Sequence, residues 1–155
     1  METKSLNCQI LDRYFELTGS TTSFVNSYSP EGVKVSILSQ RIHTDYIFRK
    51  SLLYVKNINR PILFASGIYY LQNIPHEMVE KIIEGRLLVG EIFGVGALKK
   101  KNDTVTKLYD ARVFKALNSL STECYKRQFN LSWDGKTIAS LSEVLNAETL
   151  RRIFE

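Results

Sequence analysis

The chain is 155 residues long, 44% hydrophobic and 24% charged, with three prolines and eight glycines. Such values fit one folded domain and exclude default disorder, collagen-like repeats and linker-rich designs; no apolar run approaches the ~18–20 residues of a membrane span. The 21 Lys and Arg outnumber the 16 Asp and Glu, and the net charge of +5 favours anionic partners, either nucleic acid or a small polyanionic metabolite.

A first helix is predicted over Ser5 to Leu17, where Leu6, Ile10, Leu11, Tyr14 and Phe15 recur at helical spacing and Gly19 follows as a breaker. Ser20-Thr21-Thr22 offers an N-cap for a short second helix carrying Phe24 and Val25, and Pro30-Glu31-Gly32 reads as a turn. Strands follow at Val33 to Ile37, which alternates apolar and polar residues, and at Tyr46 to Val55. Lys56 to Arg60 is a hairpin loop, so the return strand, Pro61 to Leu71, is expected to pair antiparallel. A helix then opens at Pro75 and closes at Gly85, with Met78, Ile82 and Leu87 on its apolar side. Leu87 to Gly96 reads as irregular. Its glycines match neither the dinucleotide fingerprint nor the P-loop. Lys99-Lys100-Lys101 reads as a solvated loop. Three more strands are predicted at Thr104 to Leu117, Glu123 to Leu131 and Lys136 to Leu145, with Trp133-Asp134-Gly135 turning between the last two and Ala147 to Phe154 as a closing helix. Helices that flank consecutive hairpins predict an α+β fold: one antiparallel sheet with helices packed on one face, in a single domain over residues 1–155.

Little in the chain suits metal or thiol chemistry. Cys8 and Cys124 have no second Cys or His at ligand spacing, and only His43 and His76 are present. No metal site is therefore expected, and ionic chemistry must rest on Arg, Lys, Glu and Asp. No zinc-finger, RNP or helix-turn-helix pattern supports a nucleic-acid partner. The segment from Met1 to Asn7 has no apolar core of a signal peptide, which predicts a cytoplasmic protein with reduced thiols.

Three charged residues fall in phase with apolar neighbours on predicted strands: Arg49 with Ile47, Leu53 and Val55; Arg127 with Tyr125, Phe129 and Leu131; Glu143 with Ala139, Leu141 and Leu145. Successive strand residues alternate faces, so each charge is expected to point inward. A buried charge must be paired or bound, because an unpaired one costs several kcal/mol. Internal ion pairs are one outcome. The other is a pocket with two guanidinium groups and one carboxylate, a set that suits a dicarboxylate because arginine grips carboxylates bidentately.

The run Phe48-Arg49-Lys50-Ser51-Leu52-Leu53, followed by Arg60-Pro61-Ile62-Leu63-Phe64-Ala65-Ser66 and Ile74-Pro75, resembles the chorismate lyase family. The likeness extends to Leu17-Thr18-Gly19-Ser20-Thr21-Thr22, to Leu87-Leu88-Val89-Gly90-Glu91-Ile92-Phe93, and to Tyr125-Lys126-Arg127, Gly135-Lys136 and Glu143-Val144-Leu145. It covers roughly residues 10–147. No single motif is highly specific, and the ordered series carries it. Plastid-encoded and cyanobacterial members are the nearest look-alikes. Thr137 stands where the family usually has proline, and Gly135 to Glu143 is one residue longer than the family pattern, a difference that a β-bulge would absorb.

The resemblance implies a chorismate lyase-like fold and a cofactor-free enzyme that converts chorismate to 4-hydroxybenzoate and pyruvate in the cytoplasm or a plastid stroma. It implies that Arg49 and the backbone at Val89 and Gly90 hold the ring carboxylate, that Thr21 lines the pocket, and that Glu143 is the catalytic acid or base. Arg127 is the candidate for the second carboxylate. The alternative is a non-catalytic effector-binding domain of the same fold, as in bacterial transcription regulators. A chain of this length without a DNA-binding half favours the enzyme. The oligomeric state is left open, with a monomer as one outcome.

Overall fold

The computed structural model describes residues 2–19, 21–28, 32–56, 61–94, 96–108 and 123–152. In chain order these form α1 (Glu2–Glu16), α2 (Thr21–Tyr28), β1 (Val33–Ile42), β2 (Tyr46–Val55), β3 (Pro61–Tyr70), a 3-10 turn (Leu71–Asn73), α3 (His76–Glu84), α4 (Val89–Phe93), β4 (Lys99–Leu108), β5 (Cys124–Trp133), β6 (Lys136–Asn146) and α5 (Ala147–Arg151). The strands make one six-stranded sheet in the order β1-β2-β3-β6-β5-β4. Every neighbouring pair is antiparallel, so the fold is α+β with a single antiparallel sheet. Two three-stranded halves, one from each end of the chain, meet where β3 pairs with β6.

Local chemistry sets the element ends. Asp134 and Gly135 both have positive φ and form the two-residue β5–β6 turn, the conformation that an Asp-Gly pair favours. Pro75 precedes α3, and Gly85 ends it in the left-handed region at φ 70°, with its N–H donating to the Ile82 carbonyl. The Asn146 side chain caps α5 by accepting from the Thr149 N–H.

Apolar residues of one sheet face pack against the helices in two clusters. The first joins Ile10, Tyr14 and Val25 of α1 and α2 to Leu53, Leu63 and Leu145 of the sheet and to Leu150 of α5. The second joins Val79 and Ile82 of α3 and Ile92 and Phe93 of α4 to Ile47, Tyr69, Phe129 and Leu131. Residues of opposite parity, Leu52, Val144 and Cys124, form a smaller cluster with Tyr54 and Phe64.

Several expectations need correction. The first strand runs on to Ile42, and the glycine-containing stretch after α3 holds a short helix, Val89–Phe93. The lysine run is strand rather than solvated loop. Lys99–Leu108 pairs with β5 across a bulge at Asn102 and Asp103, and Lys100 is buried. Charge density misled here, because a strand hides every second side chain whatever its type. Ser20, Pro30 and Glu31, the loop residues 57–60, the strand expected over 109–117, the end of the closing helix at 153–154 and the side chain of Cys8 lie outside the described residues.

Gly67 sits between Arg49 of β2 and Leu141 of β6. A Cβ there would collide with the Leu141 side chain and the Ser140 carbonyl oxygen, neither of which can move without disturbing the β3–β6 ladder. Gly67→Ala is therefore expected to lower the unfolding free energy by about 1–3 kcal/mol. Urea unfolding checks it, and a wild-type midpoint would contradict this close approach.

Candidate functional site

The inner face of the sheet and the helices enclose a cavity of about 80 Å³. Its sheet floor is low because Ser51 and Ala65 put small side chains beneath it, and Val35, Leu53, Leu63, Leu98, Phe129 and Leu131 make its walls apolar. Leu87 lines the cavity while remaining 37% exposed, so the segment before α4 forms its mouth. A cleft bearing Lys34, Lys56 and Arg86 adjoins this mouth and shares Val35 and Leu88 with the cavity. The single carboxylate of that cleft, Glu91, already accepts from the Leu88 N–H.

Five of the six residues singled out from sequence line the cavity: Thr21, Arg49, Val89, Gly90 and Glu143. Arg49 is 4% exposed. Its Nε donates to the Gln40 side chain at 2.9 Å and its Nη2 to the Ile82 carbonyl, and its guanidinium lies 5.6 Å from the centre of the Tyr69 ring. It thus caps the C-terminal end of α3, where backbone carbonyls favour a cation. No carboxylate pairs with Arg49 among the described residues, and its Nη1 has no protein acceptor there. Burial lowers its pKa from the usual arginine value, with Tyr69 opposing that shift. Burial likewise raises the Tyr69 phenol, partly offset by Arg49.

Glu143 is 7% exposed and reaches the same cavity from β6. The register of β5 and β6 slips between the pairs Leu131–Ala139 and Ser132–Thr137, so Ile138 is an extra residue in β6. This bulge is the structural counterpart of the longer Gly135–Glu143 spacing. Glu143 Oε1 accepts from the Thr21 hydroxyl at 2.8 Å and the Tyr14 hydroxyl at 3.2 Å. Burial, then the neighbouring Glu143 charge, pushes the Tyr14 pKa well upward, so its phenol stays protonated and donates.

Arg127 does not join them. It is 1% exposed and absent from the cavity lining. Its guanidinium grips Asp103 side-on, with Nε–Oδ1 at 2.8 Å and Nη2–Oδ2 at 2.7 Å, while Nη1 and Nη2 also donate to the carbonyls of Tyr14 and Leu17. These bonds tie the end of α1 to β5 and leave no more than one N–H for any ligand. In its place the cavity presents Lys100, which the sequence reading had assigned to a solvated loop. The signal that could have found it is period-two placement, since Lys100 faces Leu131 across the β4–β5 ladder. Among the described residues no three His, Cys, Asp or Glu side chains gather as metal ligands, and no helix is long and apolar enough to cross a membrane.

No protein-family model matches the sequence, and no curated protein sequence matches it significantly. The fold, by contrast, recurs among solved structures. The effector domain of PhnF from Mycobacterium smegmatis matches with a TM-score of 0.59 at 12% identity, over 84% of this chain and 90% of that one. The ligand-binding domain of a protein assigned to the GntR-family transcriptional regulators, from Bordetella bronchiseptica, matches with a TM-score of 0.52 at 7% identity, over 74% and 85%. YydK from Bacillus subtilis, described as a possible transcriptional regulator, matches with a TM-score of 0.51 at 10% identity over 77% of this chain, which spans only 59% of that protein. The fold is thus the chorismate lyase-like fold in the form used by regulator effector domains. These likenesses overturn the expectation of a lyase: the fold's solved representatives here come from regulators, and a shared fold with carboxylate-binding geometry does not imply turnover. The expected plastid location finds no support in them.

Arg127→Met is expected to lower the unfolding free energy by about 3 kcal/mol, because it strands the Asp103 carboxylate and the Tyr14 and Leu17 carbonyls without a donor. Urea unfolding measures this, and an unchanged stability would show that the α1–β5 tie is dispensable.

Proposed function

We propose that the chain is an effector-binding domain that holds a small, apolar-bodied anion in the inner cavity without converting it. One observation carries this reading: a buried arginine without a carboxylate partner among the described residues, facing an otherwise apolar cavity. Such a cation costs several kcal/mol unless something compensates it. The α3 carbonyl and Gln40 compensate part, and a ligand carboxylate on the remaining N–H groups supplies the rest. The cavity walls then shield the ligand's apolar body, while the exposed Lys34, Lys56 and Arg86 draw anions toward the mouth. The effector domain of PhnF and the ligand-binding domain from Bordetella bronchiseptica share this fold, which supports binding as the activity. In this reading Val89 and Gly90 close over the anionic group, and Glu143 with Thr21 forms the polar wall that meets the far end of the ligand.

Titration calorimetry with benzoate, 4-hydroxybenzoate and chorismate tests the reading. Binding of an anionic ring compound is expected, with a loss of about tenfold or more in Arg49→Gln. Chorismate is expected to release no pyruvate. Equal affinities in wild type and Arg49→Gln would reject the site.

A further inference from the structure

Lys100 is the one charged side chain of the cavity wall that no sequence motif singled out. It is 8% exposed, and three bonds fix it to the junction of α1 and α2. Its backbone N–H donates to the Thr18 carbonyl at 2.6 Å, and its Nζ donates to the Gly19 carbonyl at 2.7 Å and the Thr21 hydroxyl at 2.6 Å. An ammonium group has three protons, and these acceptors use two. The third has no acceptor among the described residues. The ammonium stands 4.7 Å from the centre of the Phe129 ring, which itself lines the cavity. No carboxylate lies within ion-pair distance of Lys100 among the described residues, and Glu143 is reached only through Thr21.

We propose that Lys100 is a ligand-contacting residue of the same cavity, a second cation that holds an anionic small molecule together with Arg49. This rests on the reading of the cavity as an anion site and adds to it both a residue and a dependence on protonation. Burial depresses the Lys100 pKa to about 8, an effect that nearby Glu143 and Asp103 oppose and that Arg127 reinforces. The groups around the ammonium are Tyr14 of α1, Asp103 of β4, Arg127 of β5 and Glu143 of β6, with Arg49 and Tyr69 across the cavity. Tyr14 and Tyr69 are pushed upward by burial and stay neutral near pH 8, and Arg49 stays charged. Lys100 is therefore the cavity group whose charge changes just above neutrality. Below about pH 8 it is an ammonium and attracts the anion; above that it is a neutral amine and the attraction lapses. By linkage, binding an anion takes up a proton in this window.

Benzoate is the probe, titrated calorimetrically against the whole chain between about pH 7 and about pH 9.5. Wild-type affinity is expected to fall roughly three- to tenfold across that range, the effect of losing one charge-assisted contact. Lys100→Met is expected to bind weakly at every pH, with no such slope. Lys100→Arg is expected to keep the affinity while removing the slope, because a guanidinium does not titrate there. A purely structural staple would change stability in these variants and leave the wild-type pH profile flat. The wild-type slope persisting in Lys100→Arg, or in Lys100→Met, would overturn the assignment, and so would a flat wild-type profile. Benzoate binding that depends on Arg49 but not on Lys100 would sink this inference alone. An absence of benzoate binding at every pH would count against the cavity as an anion site, and this inference would fall with it.

Discussion

Desolvated charge on the inner face of the sheet is the constraint around which the rest of the molecule is arranged. Arg49, Lys100, Arg127 and Glu143 are all buried there. Each must recover by local bonds the hydration it lost, and each does so with a different part of the fold. Arg127 finds a carboxylate and two α1 carbonyls, Lys100 the α1–α2 junction, Glu143 two hydroxyls, and Arg49 the end of α3. The helices are therefore held to the sheet by charged contacts as well as by apolar packing.

The four charges differ in how completely they are satisfied, and that difference separates scaffold from site. Arg127 has a bidentate carboxylate and faces no cavity, so its bonds are spent on structure. Arg49 and Lys100 keep donors without protein acceptors among the described residues, and both line the cavity. Glu143 stands between them as an acceptor already holding Thr21 and Tyr14. A site with spare donors, a spoken-for acceptor and apolar walls favours a ligand with an acidic head. It lacks the free, well-placed acid or base that bond cleavage would need. The same inventory explains why a binding module and an enzyme can share this fold: the sheet supplies the cradle, and a few polar groups decide what happens in it.

Residue parity carried the site further than motif matching did. The inward placement of Arg49, Arg127 and Glu143 was legible because strands alternate faces and the neighbouring residues were apolar. The extra residue between Gly135 and Glu143 was visible as a spacing, and its structural form is the bulge at Ile138. Lys100 was hidden by its flanks. Lys99 and Lys101 are exposed, and three adjacent lysines read as solvent until the strand direction is known.

From sequence alone followed the hairpin order, the helical segments around Tyr14 and Ile82, the Asp-Gly turn and the inward parity of three charges, because each depends on periodicity or on the conformational preference of neighbouring residues. Tertiary structure alone decided which half of the chain pairs with which, and that Arg127 binds Asp103 while Arg49 stays without a carboxylate. It also decided that Lys100 enters the cavity through its tie to residues 18–21. These are contacts between residues far apart in the chain, and no local rule of spacing specifies the partner that a buried charge will find.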